Sequence, residues 1–377
     1  MGRKRRLCIL IPNHWSAAMG GSEYQVQRLV GKLVADGEFD VLFLTRQCGQ
    51  GHCPEGYKLL CMRGWDKLLK YGFFFDAFNL LRWLRRVRPD VIYQRVGCAY
   101  TGVAAHYASK GDCRMVWHVA SDEDVLPMEG VRSPRDGFRW LEKKFLEYGV
   151  RKAHRVVAQT FQQGSFLHKH YNRKPAAVIP NFHPLPGEEM TKNGMFKVVW
   201  VANFKPLKQP EQFISLARDL NKLHEKVICI MIGAPAHWAP QWQRSLEERM
   251  AGVETLTYLG ERPLEEVNRI LAGAHLFVNT SIQEGFPNTF IQSWMRKVPV
   301  VSLHVDPDGV LERKGIGYCC KTYEKMLERV IQLVQNPALR NAMGERAQIH
   351  AFSMHSERNI QELIQVLKAE SSLDPGL

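Results

Sequence analysis

Short apolar runs alternate with longer stretches of 3.6-residue periodicity along the whole chain, and this alternation sets the fold expectation. Residues 7–11 (Leu-Cys-Ile-Leu-Ile) read as a buried strand ended by Pro12. After Met19-Gly20-Gly21-Ser22-Glu23, a helical pattern places Val26, Leu29, Val30, Leu33 and Val34 on one face. A strand at 41–44 comes next. From Phe73 onward, Ala77, Leu80, Leu81, Leu84 and Val87 form one helical stripe that Arg88-Pro89 stops. Strands at 91–93, 115–118, 155–158 and 177–179 are separated by helix-like segments at 100–107 and 137–153. Between Asn181 and Gly194 periodicity gives way to Pro184, Pro186, Gly187 and polar residues, the texture of a linker.

The alternation then restarts, with strands at 198–201, 227–232, 255–259, 276–278 and 298–302 and helices at 210–223, 241–250 and 263–271. Three more helical patterns, 323–334, 338–352 and 358–369, complete the chain. Strands alternating with helices imply parallel sheets covered on both faces. The expected architecture is α/β: two doubly wound, Rossmann-like domains facing across a cleft. The first spans residues 1–183, a linker 184–195, the second 196–352, and a C-terminal helix and tail 353–377. The C-terminal helices are expected to pack back toward the first domain.

Composition narrows the function classes. Of 377 residues, 45% are hydrophobic and 24% charged, as in an ordinary globular protein. The formal net charge of +13 is unevenly spread: residues 1–190 hold 29 basic against 18 acidic side chains, while the remainder is nearly balanced. Such asymmetry points to an anionic partner. No apolar run approaches the roughly 18 residues that cross a bilayer. The apolar run after the basic start is too short for a signal-peptide core, so a cytosolic location is expected, with the inner face of a membrane as a candidate surface. Nine scattered cysteines fit a reducing compartment. Cys48, His52, Cys53 and Cys61 fall close together in spacings that match no standard zinc pattern, and no metal is expected there.

The helix after Phe73 carries Arg82, Trp83, Arg85 and Arg86 away from its core stripe. That face suits anionic lipid headgroups, and equally an ordinary solvated surface. Nucleic acid is not expected, because the aromatic residues sit mostly at core positions and no nucleic-acid-binding motif is present. A dinucleotide fingerprint and a Walker loop are both missing. Gly20-Gly21 can let a backbone approach a phosphate or sugar, or simply form a turn with Ser22 as N-cap.

Residues 279–294 gather the most chemistry. Glu284, Gly285 and Pro287 stand where a strand ends and a helix begins, the place at which open α/β sheets bind ligands. First-turn N–H groups hold anions such as a diphosphate. The like charge of Glu284 unsuits it to a phosphate and suits it to hydroxyls on whatever the phosphate carries. Lys205 and Lys208, just past the first strand of the second domain, can neutralise a diphosphate leaving group, although exposed loop lysines are common. His118 ends a first-domain strand, before Ser121-Asp122-Glu123-Asp124. It can orient or deprotonate a substrate hydroxyl, or be a buried histidine bonded to a backbone carbonyl. Asp306-Pro307-Asp308 reads as a loop after the last strand.

Together these residues resemble the retaining family 4 glycosyltransferases of the GT-B fold (glycosyl transferases group 1), over essentially the whole chain. Residues 284–292, Glu-Gly-Phe-Pro-Asn-Thr-Phe-Ile-Gln, followed by Pro299-Val300-Val301, look like the family's Glu-x7-Glu motif and the strand after it. Gly20-Gly21-Ser22-Glu23, Val178-Ile179-Pro180-Asn181, Lys208 and Leu259-Gly260 add to the likeness. The resemblance implies transfer of a sugar from a nucleoside-diphosphate sugar to an acceptor hydroxyl with retained anomeric configuration, in surface polysaccharide or glycolipid synthesis. It further implies that the second domain takes the nucleotide and the first the acceptor, lipid-linked or saccharide. Glu284 would contact the donor sugar. Lys208, Lys205 and the loop Gly285, Phe286, Pro287, Asn288 and Thr289 would hold the diphosphate, with Gly20 and Gly21 also on the donor side. Gln292 would meet the ribose, His118 would sit near the acceptor hydroxyl, and Glu23 and Asp122 would lie on the acceptor side. No bound metal or other cofactor is implied. Three positions depart from the pattern: Gln292 replaces the second Glu, Asn203 the usual Arg, and Lys297 a helix-ending glycine. A sugar-nucleotide epimerase and a non-catalytic sugar-nucleotide-binding relative are the alternatives.

Overall fold

In the computed structural model, which describes residues 3–62, 72–127, 134–187, 192–223 and 227–369, the apolar runs become two all-parallel sheets. Residues 188–191 of the expected linker and the tail beyond residue 369 lie outside the described residues. The first sheet is built from β1 (Arg5–Leu10), β2 (Phe39–Thr45), β3 (Lys58–Cys61), β4 (Val91–Arg95), β5 (Arg114–His118), β6 (Arg155–Ala158) and β7 (Ala177–Val178). Their order is β3-β2-β1-β4-β5-β6-β7. The connecting helices are α1 (Gly21–Asp36), α2 (Gly72–Val87), α3 (Ala99–Ala108), α4 (Asp122–Val125), α5 (Pro134–Lys152) and α6 (Phe161–Tyr171).

The second sheet contains β8 (Phe196–Val201), β9 (Val227–Ile232), β10 (Leu256–Tyr258), β11 (Leu276–Asn279), β12 (Val300–Ser302) and β13 (Gly317–Cys319), in the order β10-β9-β8-β11-β12-β13. Its helices are α7 (Pro210–Leu223), α8 (Pro240–Met250), α9 (Leu264–Ala272), α10 (Asn288–Trp294), α11 (Val310–Arg313), α12 (Tyr323–Gln335) and α13 (Pro337–Met354), and α14 (Arg358–Lys368) ends the chain. Contacts gather Met1–Asn181 with Arg358–Leu377 into one compact unit and Phe182–Glu357 into another.

Helices on both faces explain why the central strands read as unbroken apolar runs. Leu7, Cys8, Ile9 and Leu10 of β1 and Leu276, Phe277 and Val278 of β11 are wholly buried. Close packing of α3 on α5 depends on Gly102 and Gly149, where a Cβ would come within 2.3 Å of the Phe145 carbonyl oxygen and 2.6 Å of the Thr101 backbone. The expected return of the last helix is seen. Arg5 donates to the Lys368 carbonyl (3.0 Å), Asn359 Nδ2 donates to the Pro180 carbonyl (2.9 Å), and the Arg114 guanidinium reaches the Ala369 carbonyl. Among the described residues no helix is long and apolar enough to cross a membrane.

The structure adds elements that the periodicity leaves out. Strands β3 and β13 are short edge strands with half-exposed residues, so neither carries the apolar run of a central strand. Helix α6 buries only Gln163, Leu167 and Tyr171, too sparse a stripe to stand out. The presence of β13 corrects one expectation: Asp306-Pro307-Asp308 follows β12, which is not the last strand. Its Asp306 Oδ1 accepts from the Leu311 amide (2.9 Å) at the start of α11, a local backbone bond.

Candidate functional site

In each sheet, one pair of neighbouring strands sends its chain off in opposite directions. In the second sheet that pair is β8 and β11, so the loops leaving their carboxyl ends diverge and open a crevice, the usual ligand position in such sheets. After β8 the chain makes a short 3-10 turn over Pro206–Lys208, closed by Gln209 at φ 45°. After β11 it runs through Thr280 to Pro287 and enters α10. Three bonds tie the two loops together. The Trp200 indole donates to Thr280 Oγ1 (2.9 Å), Thr280 Oγ1 donates to the Lys208 carbonyl (2.7 Å), and the Ile282 amide donates to the Leu207 carbonyl (2.9 Å).

This brace sets Lys208 Nζ 2.9 Å from Glu284 Oε2, with the two side chains 22% and 17% exposed. Ser281 Oγ (2.6 Å) and Asn279 Nδ2 (3.0 Å) both donate to Glu284 Oε1, fixing the carboxylate plane. A carboxylate and an ammonium, aimed by neutral neighbours and still reachable from solvent, can serve two parts of one ligand: hydroxyls at the carboxylate and an anion at the ammonium. Next along the chain, Gly285 and Pro287 are buried, and Phe286 packs its ring 4.8 Å from that of His355. Pro287 precedes α10 without a side-chain cap, and Asn288 and Thr289 begin the helix.

The remaining predicted donor residues divide. Lys205 is exposed and joins no ion pair among the described residues. Gln292 is 4% exposed and donates from Nε2 to Asn268 Oδ1 of α9 (2.9 Å), which leaves the amide oxygen as its acceptor side. Asn203 accepts from the Ala234 amide (3.1 Å), a bond that braces the β8 loop against the turn after β9. Lys297 adopts φ 55°, the left-handed conformation in which a glycine would be unstrained, and its ammonium lies 3.1 Å from Glu345.

In the first sheet the diverging pair is β1 and β4. Helix α1 starts at Gly21 with Gly20 as its N-cap residue, which corrects the expectation of Ser22 as cap: Ser22 lies inside the helix. Gly20 has φ −126°, so a left-handed backbone is not what calls for glycine there. Glu23 sits half-buried in the first turn of α1. Asp122 opens α4, and its Oδ1 accepts from Gln163 Nε2 (2.9 Å).

His118 ends β5 at 2% exposure. Its Nδ1 lies 2.9 Å from the Tyr93 hydroxyl and 3.3 Å from Arg95 Nη1. Because a guanidinium only donates, Nδ1 must accept, and the ring proton therefore resides on Nε2. Nε2 is buried and turned to the Ile179 carbonyl, which alone among the groups around the ring favours a charged imidazole. Burial first, and the Arg95 charge second, hold the imidazole well below its ordinary pKa. In this state His118 is a neutral hydrogen-bond donor rather than a base.

Two groups in this unit have no counterpart in the sequence reading. His14, buried after β1, bonds Ser16 Oγ through Nδ1 (2.7 Å) and the Tyr57 hydroxyl through Nε2 (3.0 Å), and His52 meets the same hydroxyl at 3.0 Å. Burial, and then the charge of His52, bring the pKa of His14 to about 4. The other is Arg95, 3% exposed at the end of β4, which donates from Nη2 to Asn181 Oδ1 (2.7 Å). Its signal in the sequence is a charged residue directly following the apolar run Val91-Ile92-Tyr93 and Gln94. Among the described residues no group of three or more His, Cys, Asp or Glu side chains gathers as a metal site.

The chain is similar to known proteins. The family model described as Glycosyltransferase Family 4 matches residues 19–185, and that described as Glycosyl transferases group 1 matches residues 186–350. A trehalose synthase of Thermococcus litoralis is 22% identical over 227 residues, 54% of each chain, so this chain spans about half the length of the curated relatives it matches. Among solved structures, WaaG, a glycosyltransferase involved in lipopolysaccharide biosynthesis, superposes with a TM-score of 0.78 at 15% identity, covering 97% of this chain and 100% of that one. Anabaena Alr3699/HepE in complex with UDP and glucose gives 0.73 at 16% identity, covering 97% and 99%. With one family model on each unit, and a carboxylate paired with a lysine where the second sheet diverges, the chain belongs to the family 4 glycosyltransferases of GT-B type.

Proposed function

We propose that the protein moves a hexose from a nucleoside-diphosphate sugar to an acceptor hydroxyl with retention of anomeric configuration, in surface polysaccharide or glycolipid synthesis. The observation that carries this reading is the Lys208–Glu284 pair, braced at the carboxyl ends of β8 and β11. The donor diphosphate would take Lys208, with Lys205 and the first turn of α10 as further partners, so that positive charge meets the leaving group as it departs. Glu284 would turn to the sugar hydroxyls and Gln292, through its amide oxygen, to the ribose. His118, as a neutral Nε2–H donor, would orient the acceptor hydroxyl rather than deprotonate it, with Glu23 and Asp122 on the same acceptor side and Gly20 and Gly21 near the donor. Retention requires the entering hydroxyl to arrive on the face from which the diphosphate leaves. The UDP and glucose held by HepE make UDP-glucose the first donor to test.

Thermal melts with UDP-, GDP- and ADP-sugars, with and without EDTA, provide that test. At a hundred times its Kd a cognate nucleotide stabilises by about 2.7 kcal/mol, and EDTA is expected to leave the response intact. If no nucleotide shifts the melt, the donor reading is wrong. Donor turned over to an altered sugar and free nucleotide, with no acceptor consumed, would indicate the epimerase instead.

A membrane surface is the partner that best accounts for α2. Phe78 is 82% exposed, and Arg82, Arg85 and Arg86 are exposed at spacings that share its face, with the Arg86 guanidinium 5.5 Å from the Trp83 ring centroid. One apolar ring among three arginines suits an anionic bilayer, where each basic residue contributes about 1 kcal/mol. Arg82, Arg85 and Arg86 changed together to Glu should weaken sedimentation with phosphatidylglycerol vesicles by about a hundredfold at low salt. Wild-type protein that stays in the supernatant at low and high salt alike would eliminate the membrane partner.

A further inference from the structure

Among the described residues of the first unit, one buried cation pairs with no carboxylate. Arg95 is 3% exposed, yet its contacts are the amide oxygen of Asn181, the imidazole nitrogen of His118 and the Tyr93 hydroxyl, all neutral. Burying a guanidinium without an anion is strongly unfavourable, and its five N–H groups outnumber these three contacts. The same sheet shows the ordinary solution one loop away. Arg46, just past β2, sets its Nε 3.0 Å from Oδ2 of the fully buried Asp76.

Two further observations converge on this spot. Val96, the next residue, has φ 74°, a strained conformation for a β-branched side chain. Gln94 secures that turn by donating from Nε2 to the carbonyls of Arg95 (3.0 Å) and Val96 (2.6 Å), while its own oxygen accepts from Thr101 Oγ1 (2.9 Å). Strain held by a buried amide thus fixes the backbone at the carboxyl end of β4, where the first sheet diverges. Beside it, Arg95 Nε is buried with no hydrogen-bond partner among the described residues, and His118 touches the guanidinium through Nδ1.

We propose that Arg95, next to His118, forms a subsite for one anionic group, a phosphate or a carboxylate, on the ligand taken by the first unit. Resting on the transfer reading above, that ligand is the acceptor: a sugar or lipid that carries a negative charge close to the hydroxyl to be glycosylated. The missing counter-charge is then supplied by substrate, and an uncharged analogue would leave Arg95 unpaired.

The test uses the full-length protein in phosphate-free buffer with saturating UDP, so that any diphosphate site is filled. Inorganic phosphate, a hexose phosphate, glucuronate and a neutral hexose are titrated at matched ionic strength, following the melting temperature and the 15N resonances of His118. A saturable rise and a shifted His118 signal are expected with inorganic phosphate and with the hexose phosphate or glucuronate, and neither with the neutral hexose. The hexose phosphate and glucuronate arms decide between phosphate and carboxylate. Arg95→Met should abolish the response, and Arg95→Lys should weaken half-saturation at least tenfold, since a point charge lacks the guanidinium fork. An unchanged anion response in Arg95→Met, even at a lowered melting temperature, would show that Arg95 only ties β4 to Asn181 and would overturn the proposal. Should that variant not fold, a wild-type His118 signal indifferent to every anion overturns it equally. A parallel melt without UDP reads the UDP response, so failure of the donor reading shows separately.

Discussion

Glu284→Gln is expected to lower kcat by about 10²–10³ while leaving UDP binding unchanged or tighter, because the charge it removes acts on the reacting sugar and not on the nucleotide. The bonds around Glu284 explain the split. Ser281 Oγ and Asn279 Nδ2 both donate to Oε1, and the oxygen of a glutamine can keep those contacts in place. What changes is the side facing Lys208: a carboxylate oxygen 2.9 Å from Nζ becomes an NH₂ group that also donates. Lys208 then loses its partner in the empty enzyme and meets a diphosphate with less competition. With both side chains partly exposed, the lost ion pair should alter folding stability by no more than about 1 kcal/mol, so reduced turnover would not reflect a damaged fold.

Lys208→Ala should behave in the opposite sense. It removes a charge-assisted contact of about 1.5–3 kcal/mol to the diphosphate, raising the UDP Kd roughly tenfold or more. Calorimetric titration of UDP and initial rates with a labelled donor and acceptor-containing membranes measure both variants. A Glu284→Gln enzyme that keeps more than a tenth of its turnover would remove Glu284 from the reacting sugar.

The chemistry of this site was legible in part, and the division has a physical cause. Residues 198–201 and 276–278 read as strands because a parallel sheet buried on both faces needs unbroken apolar runs, so the ends of those runs mark where ligand-binding loops begin. Glu284 and Lys208 stand out for that reason. Their contact does not. It requires β8 and β11, 80 residues apart at Trp200 and Thr280, to be neighbours, and strand order leaves no mark on the local pattern. Thr280, Ser281 and Asn279 are ordinary polar residues until the geometry shows one bracing the Lys208 loop and two orienting the carboxylate. The same holds in the first unit, where the sequence shows a histidine ending a strand but not the Arg95 contact that fixes its tautomer. Edge strands β3 and β13 leave no mark in the sequence, because half-exposed residues of mixed polarity carry no apolar run.

The brace beneath Lys208 makes the largest stability prediction. Gly233, directly after β9, has φ 154°, and its amide donates to the Gly260 carbonyl (3.0 Å). A Cβ there would lie 1.8 Å from the Ala202 carbonyl oxygen and 2.5 Å from its carbon. Those atoms begin the loop that leads to Lys205 and Lys208, and the loop is fastened to this turn by the Ala202, Phe204 and Ala234 amides. Backbone has no rotamer with which to yield, so Gly233→Ala must push the β8 loop away from β9. We expect a loss of about 3 kcal/mol or more, combining overpacking with backbone strain. That corresponds to a melting temperature roughly 6–12 °C lower for a unit of this size. The displaced loop should also weaken UDP binding, although Gly233 itself lies outside the proposed nucleotide contacts. Gly260→Ala is the control. It has φ 72° but open space around the position, so strain alone should cost about 1 kcal/mol. If the two variants melt alike, the 1.8 Å approach is not what positions the loop, and Lys208 must be held by the Thr280 and Ile282 bonds alone.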